Sequence, residues 1–326
     1  MIKNLCKMAL ENGGKLVPLI VPYEISKGTG QMNPSILVDG DKLLLNIRNV
    51  GYVLVHAENE QRFPSRWGPL LYTHPENDQT LRTINVYAEL DENYIMSRIK
   101  AVDTSILDVE PKWEFIGLED ARLVRWEDKL YLSGVRRDTT YNGVGRMELS
   151  EIADIDGDIV EISRLRIEAP DKNSYCEKNW MPVLDMPYHY VKWSNPTEVV
   201  KVNFDTKQAE TVHLTKNYLQ GFRDFRGGSQ VLNFGDNRIA LVHEVSLFNN
   251  EAGQKDAFYY HRFLVWDKDW NIVGMSDDFF FLEERIAFSC GMAIKDDKVI
   301  LTFGDQDNVA YLLEMPVNFV KGLIYG

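Results

Sequence analysis

The chain is poor in cysteine, in basic charge and in long apolar runs, and each shortage narrows what it can be. Its 326 residues include three cysteines, Cys6, Cys176 and Cys290. They are widely spaced, and none has a near neighbour that could complete a zinc site, so a reduced cytoplasmic setting is the simplest expectation. Lys and Arg number 36 against 49 Asp and Glu, a formal net charge of −13. A general nucleic-acid or anionic-membrane binder needs a basic footprint, so neither partner is expected, and any bound anion must meet a local basic pocket. Nowhere do about 18 apolar residues run together, and the apolar stretch within residues 1–11 is too short and interrupted for a signal peptide. Neither export nor membrane insertion is expected.

Helix-period segments are also scarce, and a short helix over Lys3 to Asn12 is the best candidate. Strand-period segments fill the rest. Four share one pattern, a tight polar turn, a charged residue and an apolar strand: Asp39-Gly40-Asp41-Lys42 before Leu43 to Ile47, Glu127-Asp128-Lys129 before Leu130 to Leu132, Gly235-Asp236-Asn237-Arg238 before Ile239 to Val242, and Asp296-Asp297-Lys298 before Val299 to Phe303. Asp, Asn and Gly tolerate turn conformations, and the β-branched and aromatic residues that follow fit a pleated surface. Pro187 to Trp193 alternates in the same way without the Asp-Lys turn. Five such strands at intervals of roughly 50 to 90 residues have the spacing of propeller blades. Five four-stranded blades use about 300 residues. The fold class expected is therefore all-β, a five-bladed β-propeller with a central axial pocket. It would form a single domain over residues 1–326, with residues 1–30 as an N-terminal extension packed on it. A β-sandwich, or two stacked β domains, would carry the same turn signals.

Equivalent positions on different blades of a propeller converge on its axis. Five to seven residues beyond the charged residue that opens each strand stand Arg48, Arg136, His243 and Asp305, with Arg137, Glu244 and Asp307 beside them. Lys178 precedes the weaker fifth strand. Each has a plain structural use: a solvated edge charge for the arginines, a satisfied core residue for the histidine, a turn residue for the aspartates. Recurrence at matching repeat positions argues for a shared pocket. Cationic groups, an imidazole and carboxylates together suit a sugar plus an anion, since Arg forks match phosphate oxygens and carboxylates bind sugar hydroxyls or protonate a glycosidic oxygen. Glu119 and Asp120 lead straight into the second hairpin. Strict alternation would send their side chains to opposite faces, and their plain structural use is a salt bridge to Arg122 or Arg125.

The string Gly117-Leu118-Glu119-Asp120-Ala121-Arg122 resembles the Gly-x-Glu-Asp-Pro-Arg signature of the β-mannoside phosphorylases of glycoside hydrolase family 130. Further blocks similar to that family follow in order: Asn33-Pro34-Ser35-Ile36 with Arg48 after it, Lys178-Asn179-Trp180-Met181-Pro182, Gly227-Gly228 before His243, and Gly304-Asp305-Gln306-Asp307. The resemblance implies a five-bladed propeller and an inverting, single-displacement reaction at a β-mannosidic bond. Asp120 would be the general acid, delivering its proton directly or through a mannose hydroxyl. Asn33, Arg48, Asp305 and Asp307 would bind the sugar, and Arg136, Arg137, Lys178 and His243 would hold phosphate, with Arg146 a weaker candidate. Inorganic phosphate would be the co-substrate, and no metal or organic cofactor is implied. The partners expected are a small oligosaccharide or glycoside and phosphate, and self-association into a homo-oligomer is open. Ala121 stands where the family has Pro, and Phe225 to Gln230, Tyr259 to Phe263 and Ser289 to Met292 depart from the best-known phosphorylases, which suggests a divergent branch. Related propellers also run in the synthetic direction as mannosyltransferases. Two alternatives remain: hydrolysis by water, with Glu177, Glu244 or Asp305 as base, and a non-catalytic carbohydrate-binding propeller.

Overall fold

The computed structural model describes residues 2–54, 63–65, 68–73, 80–215, 225–249 and 255–326. They form a β-propeller with a little helix. The first blade comprises Gln31–Asp39, Lys42–Val50, Leu81–Leu90 and Met96–Ala101, with Phe115–Ile116 added in parallel to its third strand. The second comprises Leu118–Trp126, Lys129–Arg136, Arg146–Ile155 and Asp158–Arg166, and the third Met181–Pro182, His189–Ser194, Thr197–Asn203 and Gln208–Leu214. The last comprises Ala287–Lys295, Lys298–Asp305 and Val309–Pro316, and its fourth strand is Lys15–Leu19, so the N-terminal segment pairs with the C-terminal one.

These four blades are regular, against the five that the spacing predicted. The remaining sheet departs from the pattern because its strands are fragmented. The long hairpin Asn237–Asn249 and Lys255–Trp266 is flanked by short pieces, Arg226–Gly227, Leu232–Phe234, Ile272–Met275 and Phe279–Phe280, and Lys3–Asn4 joins it in parallel. A separate three-stranded sheet, Tyr52–Leu54, Gly68–Thr73 and Phe63–Ser65, follows the second strand of the first blade.

The four Asp-rich turns are two-residue hairpins, with Asp39 paired to Lys42, Trp126 to Lys129, Phe234 to Asn237 and Lys295 to Lys298. Glu127 and Asp128 both take positive φ (49° and 64°), the conformation that a tight hairpin turn demands and that favours small polar residues. The short helix is Leu5–Glu11, capped by Asn4, whose side chain accepts the Lys7 amide at 2.8 Å.

Apolar clusters lie between successive sheets and close the ring. Leu123 and Leu132 meet Leu44 and Tyr87, Trp180 and Tyr190 meet Val124 and Trp126, and Ile300 and Leu312 meet Ile36 and Leu45. Leu5 and Ala9 of the helix join Leu241, Phe263, Leu301 and Phe303. On the axis the sheets are tied by one fully buried amide, Gln230. Its Nε2 donates to Ser35 Oγ (3.1 Å), Ile36 O (2.9 Å) and Leu123 O (2.9 Å), and its Oε1 accepts the Met292 amide at 3.2 Å. A buried polar group stranded by loss of its partner costs its own desolvation. Gln230→Leu is therefore expected to destabilise the fold by about 3 kcal/mol, read as a lower denaturant midpoint at unchanged slope.

Candidate active site

Where the polar turn occurs, the strand before it is the inner one and the strand after it lies second. The sequence equivalence nevertheless holds in the ladder. Arg48 pairs with Met32, Arg136 with Leu118, His243 with Arg226 and Asp305 with Ala287, each facing the beginning of its inner strand. Just beyond that level the first, second and last blades carry irregularities at Met32/Ser35, Glu119/Arg122 and Phe288/Gly291. Bulges at a propeller rim re-aim side chains, and here they turn polar residues onto the axis.

Asn33 and Asp120 occupy two of these bulges at positive φ, 46° and 50°. Such backbone is unfavourable for most residues, and Asn and Asp bear it best. Asn33 Nδ2 donates to Asp120 Oδ1 at 2.8 Å, and Arg48 Nη1 donates to the same oxygen at 2.9 Å. Arg48 Nη2 donates to Glu119 Oε2 at 3.1 Å, and its Nε donates to Thr83 Oγ1 at 3.1 Å. The expectation that alternation separates Glu119 from Asp120 is therefore overturned. The bulge breaks the alternation, and both carboxylates meet one guanidinium.

The expected structural partners of the acidic pair are engaged elsewhere. Arg125 forks onto Asp39. Arg122, almost fully buried, binds main-chain carbonyls of Asp120 (2.7 Å) and Gly228 (2.9 Å).

Burial works to raise the Asp120 carboxyl, but Arg48, the Asn33 hydrogen bond, Arg122 and Lys178 outweigh it and hold Asp120 below the ordinary carboxylate range. Glu119 is raised, chiefly by burial, against the pull of Arg48. Asp307 sits in a turn at φ 52°. Its carboxyl is pushed up to about 6, first by burial, with Asp120 and Glu119 adding to the shift and Arg48 and Lys178 opposing it.

The side expected to meet an anion is made of the cations Lys178 and Arg137 and the imidazole of His243. Lys178 is exposed and acts electrostatically on Glu119, Asp120, Asp307 and His243. Arg137 lies between Phe115 and Tyr175, donates to Gly143 O (3.0 Å) and Tyr175 Oη (3.1 Å), and acts on Glu119. His243 is 3% exposed and stacks on Tyr259 with ring centroids 5.8 Å apart. Burial, with His261, Arg226, Lys178 and Arg122, keeps its imidazole neutral well below the usual range. Its Nδ1 has no hydrogen-bond partner among the described residues. A neutral imidazole offers a ligand a hydrogen bond rather than a charge.

Two expected ligands are not brought to this cluster. Arg136 is 4% exposed and captured by its own blade, its Nε donating to Glu148 Oε2 (2.7 Å) and its Nη1 to Asp138 Oδ2 (3.3 Å). Asp305 is held by Arg285 through bonds of 3.1 and 2.6 Å. Both are neutralised by neighbours that strand spacing alone does not reveal. Arg146 is likewise structural, bound to Glu168 (3.0 Å) and Ser174 O (2.8 Å). Of the bases considered for hydrolysis, Glu177 is buried and accepts Trp180 Nε1 at 2.9 Å, and Asp305 is the Arg285 partner just described. Glu244 pairs across the long hairpin with Tyr260.

Tyr259 was not among the candidates. Its phenol is raised by burial and by Asp307 and Asp120, which places it at the carboxylate cluster. The only sequence signal is the aromatic run Tyr259-Tyr260-His261. Among the described residues, no group of three or more His, Cys, Asp or Glu is arranged to hold a metal ion.

Compared by sequence, the chain matches no family model and no curated protein. Compared by structure, it resembles the β-1,2-mannobiose phosphorylase of Listeria innocua in complex with β-1,2-mannobiose, at 14% identity and TM-score 0.59 over 94% of this chain and 96% of that one. It also resembles MPT-4, a mannose phosphorylase of Leishmania mexicana in complex with a phosphate ion, at 12% identity and TM-score 0.54 over 98% and 95% of the two chains. A third neighbour, at 13% identity and TM-score 0.54 over 87% and 84%, comes from the GH130 family of mannoside phosphorylases, which contains glycoside hydrolases that target β-1,2 mannosidic linkages in Candida mannan. At this level of identity the likeness is one of fold, and the chain has the propeller fold of the GH130 mannoside phosphorylases.

Proposed function

We propose that the chain is a carbohydrate-active enzyme that cleaves or builds a β-mannosidic bond by inverting transfer between mannose and phosphate, with the irregular sheet serving as its fifth blade. The observation that carries this reading is the Asp120 carboxyl, fixed by Arg48 and Asn33 in a strained bulge, with Lys178 acting both on it and on the neutral His243. A carboxyl so oriented suits proton delivery to a leaving oxygen, directly or through a sugar hydroxyl. The cations and the imidazole suit a phosphate on the opposite side of the anomeric carbon. A nucleophilic phosphate needs no second carboxylate as base, which agrees with the engagement of Glu177 by Trp180 and of Asp305 by Arg285. In this reading Asn33, Arg48 and Asp307 orient the sugar, while Arg137, Lys178 and His243 bind phosphate, and no resident cofactor takes part.

The test is incubation with a β-mannoside, with and without phosphate. Phosphate-dependent release of mannose 1-phosphate is expected, and the reverse synthesis from mannose 1-phosphate with a sugar acceptor. Phosphate-independent release of free mannose would assign hydrolysis instead. Lys178 has no side-chain ion pair among the described residues, so Lys178→Ala should leave the melting temperature unchanged and raise the KM for phosphate about tenfold. An unchanged phosphate KM would remove Lys178 from the anion site.

A further inference from the structure

We propose that Asp307 stores the proton that Asp120 delivers, the two carboxyls acting as a pair that carries one mobile proton. This deepens the phosphorolysis reading and rests on it. The two groups are built differently. Asp120 Oδ1 takes two hydrogen bonds, one of them from a guanidinium, so its carboxyl is anchored as an anion. Asp307 has no hydrogen bond or ion pair to its carboxylate among the described residues.

The turn that carries Asp307 is nonetheless held firmly. The Gln306 amide donates to Ile286 O (2.8 Å), the Asn308 amide to Asp305 O (3.1 Å), and Asn308 O accepts the Gln31 amide (3.1 Å), two residues before Asn33. Gly304 fixes the approach from the other side, since a Cβ there would lie 2.5 Å from both Asn33 N and Asn33 Oδ1. A carboxyl left unpaired on a pinned turn is free to exchange a proton without losing a structural bond. The charged and titratable groups that face it are Arg48 from the first blade, Glu119 and Asp120 from the second, Lys178 ahead of the third, and Tyr259 from the long hairpin. Two carboxyls whose surroundings push their proton affinities apart divide the roles of holding and giving a proton.

The step balances as follows. The bond from the anomeric carbon to the leaving oxygen breaks, and a phosphate oxygen bonds to that carbon. The leaving oxygen takes the proton from Asp120, to which Asp307 passes its own. The phosphate ester sheds its own proton to water as the bond forms, and Asp307 takes one back from water as the products leave.

Two measurements test this on the intact chain. In the first, the carboxyl C=O band of the substrate-free protein is followed by infrared difference spectroscopy against pH. A protonated carboxyl should titrate near pH 6, vanish in Asp307→Asn, and shift to lower pH in Asp120→Asn, where the neighbouring negative charge is gone. The second is the pH dependence of kcat. In Asp307→Asn the alkaline limb should move to lower pH, with roughly tenfold lower kcat near neutrality and recovery towards acid. A band that persists in Asp307→Asn, or a variant that raises only the KM for the sugar with its pH limbs in place, would overturn the proposal. If the band titrates as expected but no mannoside turns over in the parent protein, the phosphorolysis reading fails and the delivery step falls with it, while the proton-holding carboxyl stands.

Discussion

Asp120→Asn should abolish transfer at every pH, lowering kcat by roughly 10³-fold, the range set by removing a positioned general acid. The substitution keeps the shape of the side chain and an oxygen for Asn33 Nδ2 and Arg48 Nη1, so folding and sugar binding should survive. The readout is therefore kcat against a sugar affinity measured separately, for instance by calorimetry. Loss of kcat at retained affinity assigns proton delivery to Asp120. Activity within tenfold of the parent would show that the acid lies elsewhere. Retained affinity with no turnover in the parent either would favour a non-catalytic carbohydrate-binding propeller.

Arg48→Met should have the largest effect on stability. Arg48 is 5% exposed and joins Glu119, Asp120 and Thr83. Removing one side of a buried charge pair leaves the other uncompensated, at about 3–5 kcal/mol. The pH dependence has a definite sign. Without the guanidinium the Glu119 carboxyl, already raised, rises further, and Asp120 loses the strongest charge that opposes its burial, so both move upward. A group whose folded-state proton affinity is raised contributes stability at low pH that is lost as pH rises through its folded pKa. The melting-temperature deficit of Arg48→Met should thus be smallest below about pH 3, beneath the ordinary carboxylate range, and largest at neutral pH and above. A deficit that is constant across this interval would mean that Arg48 acts by packing alone.

Much of the ladder was legible in the sequence, because local chemistry writes it. Gly, Asp and Asn at the two-residue turns mark the hairpins, and counting from each turn places Arg48, Arg136, His243 and Asp305 at equivalent rungs. What those residues touch was not legible. Arg136 and Asp305 occupy the same rung as Arg48, yet Glu148 and Arg285 draw them away. Only cross-strand and inter-loop neighbours decide that difference, and they are distant in sequence. The joint capture of Glu119 and Asp120 was hidden for another reason: period-two reasoning assumes an unbroken strand, and the bulge at Asp120 breaks it. The fragmented sheet escaped for a related cause, since its short pieces, such as Arg226–Gly227 and Phe279–Phe280, are too brief to show any period. Tyr259 looked like one more aromatic in a strand-rich chain, and only its closeness to Asp120 and Asp307 distinguishes it.

The most direct measurement follows a β-mannoside and phosphate by ¹H and ³¹P NMR as product first appears. Attack by phosphate opposite the leaving group requires mannose 1-phosphate of α configuration, formed at the rate at which the mannoside is lost. A β-configured phosphate ester would contradict single displacement, and free mannose with phosphate unconsumed would contradict phosphorolysis.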